Sequence, residues 1–335
     1  MDSSIDMTLF ENLNNKKITI SNEHNKYYKD YSDIPDDAII KYGKVWDEFC
    51  GKKEFLEYQK KIIELKQFFR KNNLSPIEKL MIAYDLVKIK PYNLSNDENL
   101  NGLPHEVLFG EHISCRGYCN LLIELLDSEG IKIVYQGLDV YDKNGHTVDY
   151  HARCTVILDD DKYNIHGLFV VSPTEDSYNE ENKMYLGNDL QPTDLYSWFL
   201  RPLRNSELYH DENFEYRISD MSTDDEILGL VGTEKEGICI NNPEFRLNDL
   251  IENNELDELT ILCDDVFNNL FDGLTKEKIL QYINTDYIDF NLMLEIIANV
   301  RRTEGYSEEQ IASEIERITR INFDYFPTEK QAKSL

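Results

Sequence analysis

Cys115 is the residue best placed for nucleophilic chemistry. It follows Ser114 and opens the run Cys115-Arg116-Gly117-Tyr118-Cys119-Asn120-Leu121-Leu122-Ile123-Glu124-Leu125-Leu126. A serine caps a helix well, so the pattern predicts a helix from Cys115 to about Ser128, closed by Gly130. Unpaired N–H groups and the helix dipole favour an anion at such a start. A thiol with the ordinary pKa near 8.5 is only about 3% thiolate at pH 7, and a helix start beside an imidazolium lowers that pKa into the range of roughly 3.5–7.5. His151 lies 36 residues on, opens a strand-like run and can supply the base. A thiol at a helix start with a histidine on a strand is how cysteine hydrolases and acyltransferases prepare a nucleophile.

Each residue also has a plainer role open to it. Free cysteines often fill cores, and a histidine on a strand is often a hydrogen-bonded polar side chain. Metal binding competes as chemistry, since His112, Cys115, Cys119, His151, Cys154 and His166 are ligand types. No Cys-x-x-Cys pair anchors a zinc site, however, and residues three apart on a strand, such as His151 and Cys154, face opposite ways. The expectation is neither metal nor cofactor.

The elements that must position these residues can be read from periodicity. Phe55, Tyr58, Ile62, Ile63, Leu65 and Phe68 share one face of a helix. Asn72-Asn73-Leu74-Ser75-Pro76 breaks it, with Ser75 as N-cap and Pro76 as first residue of a second helix running to Val87. Residues 93–110 are a polar loop. Strand-like segments follow at Ile131–Gly137, His151–Leu158 and Lys162–Val171, with Asp159-Asp160-Asp161 at a turn. Pro192–Leu203, containing Trp198, reads as a short helix. From about Asp224 the chain is acidic and mostly helical, with apolar positions at Leu259, Ile261, Leu262, Val266, Leu270 and Phe271, then Ile279–Ile283, Leu292–Val300 and Ile311–Ile318. The fold class is α+β, in three parts: a mostly helical extension over 1–74, a core over 75–220 and an acidic helical domain over 221–335.

The segment from Cys115 through Gly117-Tyr118 to Gly130-Ile131 resembles the nucleophile segment of bacterial transglutaminase-like proteins, which read Cys-x-Gly-Tyr, an apolar helix, then Gly-Ile. His151-Ala152-Arg153 and its strand resemble that family's His-Ala-Trp segment, and Ser75-Pro76-Ile77-Glu78-Lys79 through Tyr84-Asp85 and Pro91-Tyr92 resembles the helix that precedes its cysteine. The likeness covers roughly residues 75–180. It implies a papain-like, transglutaminase-like core in which the nucleophile helix packs on an antiparallel sheet, with Cys115 as nucleophile and His151 as general base and acid.

The third family segment, Trp-Tyr-x-Val-Asp-Pro-Thr, has no full counterpart. Lys162-Tyr163-Asn164-Ile165-His166 occupies its place, so His166 stands at the aspartate position and is expected to face His151 across a hairpin. A second alignment sets Val171-Ser172-Pro173-Thr174 there, with Ser172 for Asp. Asp149 and Asp176 are further carboxylates, and Arg153 replaces the family Trp. The backbone N–H of Cys115 is the natural oxyanion donor, with His112 a candidate side-chain donor. Cys119 is either packing beneath the site or a resolving thiol for an oxidised Cys115.

The preferred function is cysteine-dependent acyl transfer on a peptide or protein amide through a thioester, as a protease, deamidase or transglutaminase. The alternative is a catalytically inactive binding module, favoured by the missing Asp and Trp. A net charge of −29 excludes nucleic acid and anionic membrane as partners of choice. The acidic C-terminal helices offer a docking surface for a protein partner. Neither a secretory leader nor a membrane span is visible, and six scattered cysteines read as reduced thiols, which places the chain in the cytoplasm. Abundant Lys, Asn, Ile and Asp point to a bacterium with an AT-rich genome.

Overall fold

The computed structural model describes residues 39–41, 49–90, 92, 113–126, 129–142, 144–177, 191, 193–202, 214–222, 274–275, 278, 281–282 and 285–322. His112, the Tyr-rich stretch at 27–31, the polar loop at 93–110 and the expected helical positions from Leu259 to Phe271 lie outside them. The chain divides into two units, residues 1–73 with 225–235, and residues 74–224 with 236–335. The helices near the C-terminus are grouped with residues 74–224 in the second unit.

In the first unit, strands β1 (Ile39–Lys41) and β2 (Phe49–Gly51) pair antiparallel, and helix α1 (Lys52–Lys71) follows. Its Ile62, Leu65 and Phe69 are buried.

The second unit is a mixed helix and antiparallel-sheet fold. Helix α2 (Pro76–Lys88) begins where Ser75-Pro76 predicts. The Ser75 N–H donates to Glu78 Oε2 at 2.9 Å, which is half of a capping box. A second donor at this helix start is met from far away in sequence, because the Ile77 N–H donates to Asp160 Oδ2 at 2.9 Å. Helix α3 (Cys115–Leu126) packs against α2 and the sheet, and Lys79 pairs with Glu129 just past its end at 3.0 Å. Gly130, at φ +79°, then takes the left-handed conformation that a glycine adopts without strain.

Strands β3 (Lys132–Asp142), β4 (Thr147–Asp160), β5 (Ile165–Val171), β6 (Arg201–Pro202) and β7 (Phe214–Ser222) form one sheet in the order β6-β5-β4-β3-β7, antiparallel throughout. The turn between β4 and β5 falls at residues 161–164, not at Asp159–Asp161. Asp160 explains the shift: its buried carboxylate accepts from Ile77, Lys162 and Tyr163 N–H groups, so the strand must run on to deliver it. The stretch at 193–200 is a series of turns, where a short helix was expected. Its backbone groups are taken by other partners: Leu195 O accepts from Lys88, Trp198 O accepts from the Ser172 N–H, and the Trp198 N–H donates to Asp176.

Helices α4 (Phe290–Glu304) and α5 (Glu308–Asn322) close the unit. Asp289 caps α4, Gly305 at φ +93° ends it, and Ser307 and Gln310 box the start of α5. α4 packs on α2 through Ile296, Ile297 and Val300 and through a buried ionic knot. Arg301, only 2% exposed, bonds Asp85 at 2.8 Å, Glu304 at 2.9 Å and Glu314 at 2.8 Å. Lys88, fully buried, pairs with Asp85 at 3.0 Å and stands over the Tyr196 ring. Arg317 of α5 grips Asp194 with two bonds, at 2.9 and 3.1 Å. Among the described residues, no helix is long and apolar enough to cross a membrane.

Removing one partner of a buried ion pair leaves a stranded charge, typically at a cost of about 3–5 kcal/mol. Arg301→Ala should therefore lower unfolding free energy by that order in a urea titration, and a loss below about 1 kcal/mol would deny the knot a structural role. A second check lies on β5. The Thr285 side chain stands where any side chain at Gly167 would go, and its hydroxyl donates to His166 O at 3.1 Å. Gly167→Ala should cost about 1–3 kcal/mol by overpacking, measured in the same way.

Candidate active site

Cys115 is the first residue of α3 and is partly exposed. Ser114 caps the helix as the sequence suggests: its Oγ accepts from the Gly117 N–H at 3.2 Å. The N–H of a first helical residue has no partner inside the helix, so Cys115 presents a donor beside its own sulfur. His151 sits on β4 opposite Leu138 of β3, and its side chain is 14% exposed. Cys115 acts on the His151 imidazole from the start of α3.

The group on the other side of His151 is Glu175, which the sequence did not single out. Its Oε1 lies 2.7 Å from His151 Nε2, and the Ser172 hydroxyl, 3.3 Å from the same nitrogen, donates to Glu175 Oε2. Burial works to lower the pKa of His151, but the Glu175 charge and the bonds to Cys115 and Glu175 outweigh it, pushing the imidazole up to about 10. Burial pushes the Glu175 carboxyl the other way, yet His151 and the Ser172 hydroxyl hold it below the usual range. The site therefore brings together a thiol at a helix start, an imidazole that its neighbours favour as a cation, and a carboxylate.

His166 does not join this group, which corrects the expected third member. It pairs with Asp159 and lies 3.8 Å from Asp161. The register sets His166 opposite Asp159, eight residues along β4 from His151, or ~26 Å at the usual rise of a strand. The observed register is eight residues away from the one that would set His166 opposite His151, so the neighbourhood of His151 is filled from Ser172 onward. That is the second alignment, Val171-Ser172-Pro173-Thr174, with a serine at the aspartate position and the carboxylate supplied three residues later. An acid just past that motif is a signal that could have found Glu175.

Comparison with known protein families, curated proteins and solved structures gives no match to this chain.

Of the remaining candidates, Asp176, Arg153 and Cys119 have other partners. Asp149 lies on β4 opposite Val140. Asp176 is buried and faces Tyr84, Ser197 and Trp198. Arg153 is buried against Gln136 of β3. Cys119 lies one turn below Cys115. Burial, then a hydrogen bond with Cys154, push its thiol well above the ordinary value, so it is a packing residue and a poor nucleophile. Tyr118 reaches Lys90 O at 2.5 Å and also bonds the Ser177 side chain. Among the described residues, no three of His, Cys, Asp and Glu are grouped to hold a metal.

A raised histidine stabilises the fold fully below its unfolded pKa, near 6.5, and that contribution is lost as pH rises through about 10. The stability difference between the wild-type protein and Glu175→Gln should therefore be largest near pH 6 and shrink toward pH 10 in urea unfolding. A difference constant over that span would show that His151 is not held as a cation. His166→Ala should leave the pH profile of this contribution unaltered.

Proposed function

We propose that the protein is a cysteine-dependent acyl-transfer enzyme acting on a peptide or protein amide, with Cys115 as nucleophile, His151 as acid and base, and Glu175 as the group that orients the imidazole. The carrying observation is the Glu175 carboxylate at 2.7 Å from His151, an imidazole on which Cys115 also acts. This is the arrangement that the resemblance to transglutaminase-like proteins leads one to look for, with Glu175 in place of their aspartate. The non-catalytic alternative drew on that missing acid, and a carboxylate at 2.7 Å from His151 weakens it.

In the proposed cycle the thiolate attacks the amide carbonyl carbon, the backbone N–H of Cys115 faces the developing oxyanion, and the imidazolium gives its proton to the departing amine. The acyl group is left on sulfur as a thioester. Acylation also removes the thiolate charge that helps hold His151 protonated, so the neutral imidazole becomes the base that deprotonates the acceptor. Water as acceptor gives an acid, as in a protease or deamidase. A primary amine gives a new amide, as in a transglutaminase.

Alkylation of Cys115 by iodoacetamide, followed by peptide mass spectrometry, tests the ion pair. The expected result is rapid labelling of Cys115 at pH 6, at least tenfold slower in His151→Ala and slowed to a lesser degree in Glu175→Gln. Labelling that follows an ordinary thiol from pH 5 to 9 and is indifferent to His151→Ala would overturn the proposal.

A further inference from the structure

We propose that Tyr84 and Asp176 are positioning residues that clamp the Ser172–Ser177 turn and so hold Glu175 against His151. This rests on the roles assigned above to Cys115, His151 and Glu175. Glu175 lies on a turn, outside any strand or helix, so the turn must be held by its neighbours for the carboxylate to keep its place. Tyr84 does this from α2: its single hydroxyl spans the turn, 2.9 Å from Ser172 O and 2.6 Å from Asp176 Oδ2. The buried carboxylate of Asp176 also accepts from Ser197 Oγ at 2.5 Å and from the Trp198 N–H at 2.9 Å. The Ser172 N–H donates to Trp198 O at 3.1 Å, so both ends of the turn are clipped to residues 197–198. Inside the turn, Ser177 bonds back to Thr174 O through its N–H and its hydroxyl.

The clamp has a charged setting. Lys88 acts on Asp176 from α2, and Glu175 and Asp85 both act on the Tyr84 phenol. Burial raises Asp176 against the pull of Lys88 and of its hydrogen bonds from Ser197, Tyr84 and Trp198. Against His151 itself stand Cys115 from α3, Glu175 and Ser172 from the turn. Tyr84 and Asp176 touch none of the reacting atoms. Their effect must pass through Glu175, and that makes the idea separable from simple packing.

The test is the titration of the His151 imidazole, followed by NMR, together with the alkylation rate of Cys115 at pH 6. Tyr84→Phe keeps the ring and the charge but removes both bonds. It should lower the His151 midpoint by at least one pH unit and slow alkylation at least threefold. Tyr84→Phe added to Glu175→Gln should shift the midpoint no further than Glu175→Gln alone, because both changes act on one contact. A folded Tyr84→Phe with an unaltered His151 midpoint, where Glu175→Gln does move it, overturns the clamp and leaves the site assignment standing. An unaltered midpoint in Glu175→Gln overturns the site assignment, and the clamp with it. Should Tyr84→Phe not fold, Ser197→Ala removes one of the three Asp176 bonds and decides in the same way: a smaller shift in the same direction supports the clamp, and none overturns it.

Discussion

A carboxylate buried under a helix must be fully partnered, and Asp85 imposes that condition on the rest of the second unit. It accepts from the Tyr196 hydroxyl, pairs with Lys88 on its own helix and with Arg301 on α4, while Arg301 in turn gathers Glu304 and Glu314. Arranging so many charges in a dry interior fixes where α2, the 193–200 segment, α4 and α5 can lie relative to one another. The site inherits that order. Lys88 also binds the carbonyls of Thr193 and Leu195, the same segment continues to Ser197 and Trp198, and these hold the turn that carries Glu175.

Much of the chemistry-bearing region could be read locally. Ser114 before Cys115, and Ser75-Pro76 before Ile77, are start signals whose meaning is contained within a few residues, and both helices begin there. The strand that carries His151 was also legible, and so was its antiparallel pairing with the next strand. These features depend on capping and on apolar spacing, which belong to the segment itself.

The features that escaped such a reading depend on distant partners. Three consecutive aspartates look like a turn until one of them, Asp160, is seen to cap a helix more than eighty residues earlier. Reading His166 at the aspartate position of the resembled motif put it beside His151 and left Glu175 unnoticed. Arg301 and Lys88 look like solvated charges on amphipathic helices, because a sequence does not display the carboxylate each will meet. The acidic C-terminal region read as a separate domain for the same reason, although several of its charges face inward. The short helix expected around Trp198 failed because other elements claim its backbone groups.

The Asp85–Arg301 pair spans 216 residues. A ribosome adds roughly 5–20 residues per second, so about 10–40 s separate the making of the two partners. Throughout the latter part of that interval the nascent chain already contains Cys115, His151 and Glu175, but Asp85 lacks its guanidinium partner. The core can therefore reach its final charge balance only once α4 and α5 have left the exit tunnel. The order of synthesis itself delays completion of the scaffold behind the thiol until those helices have been made.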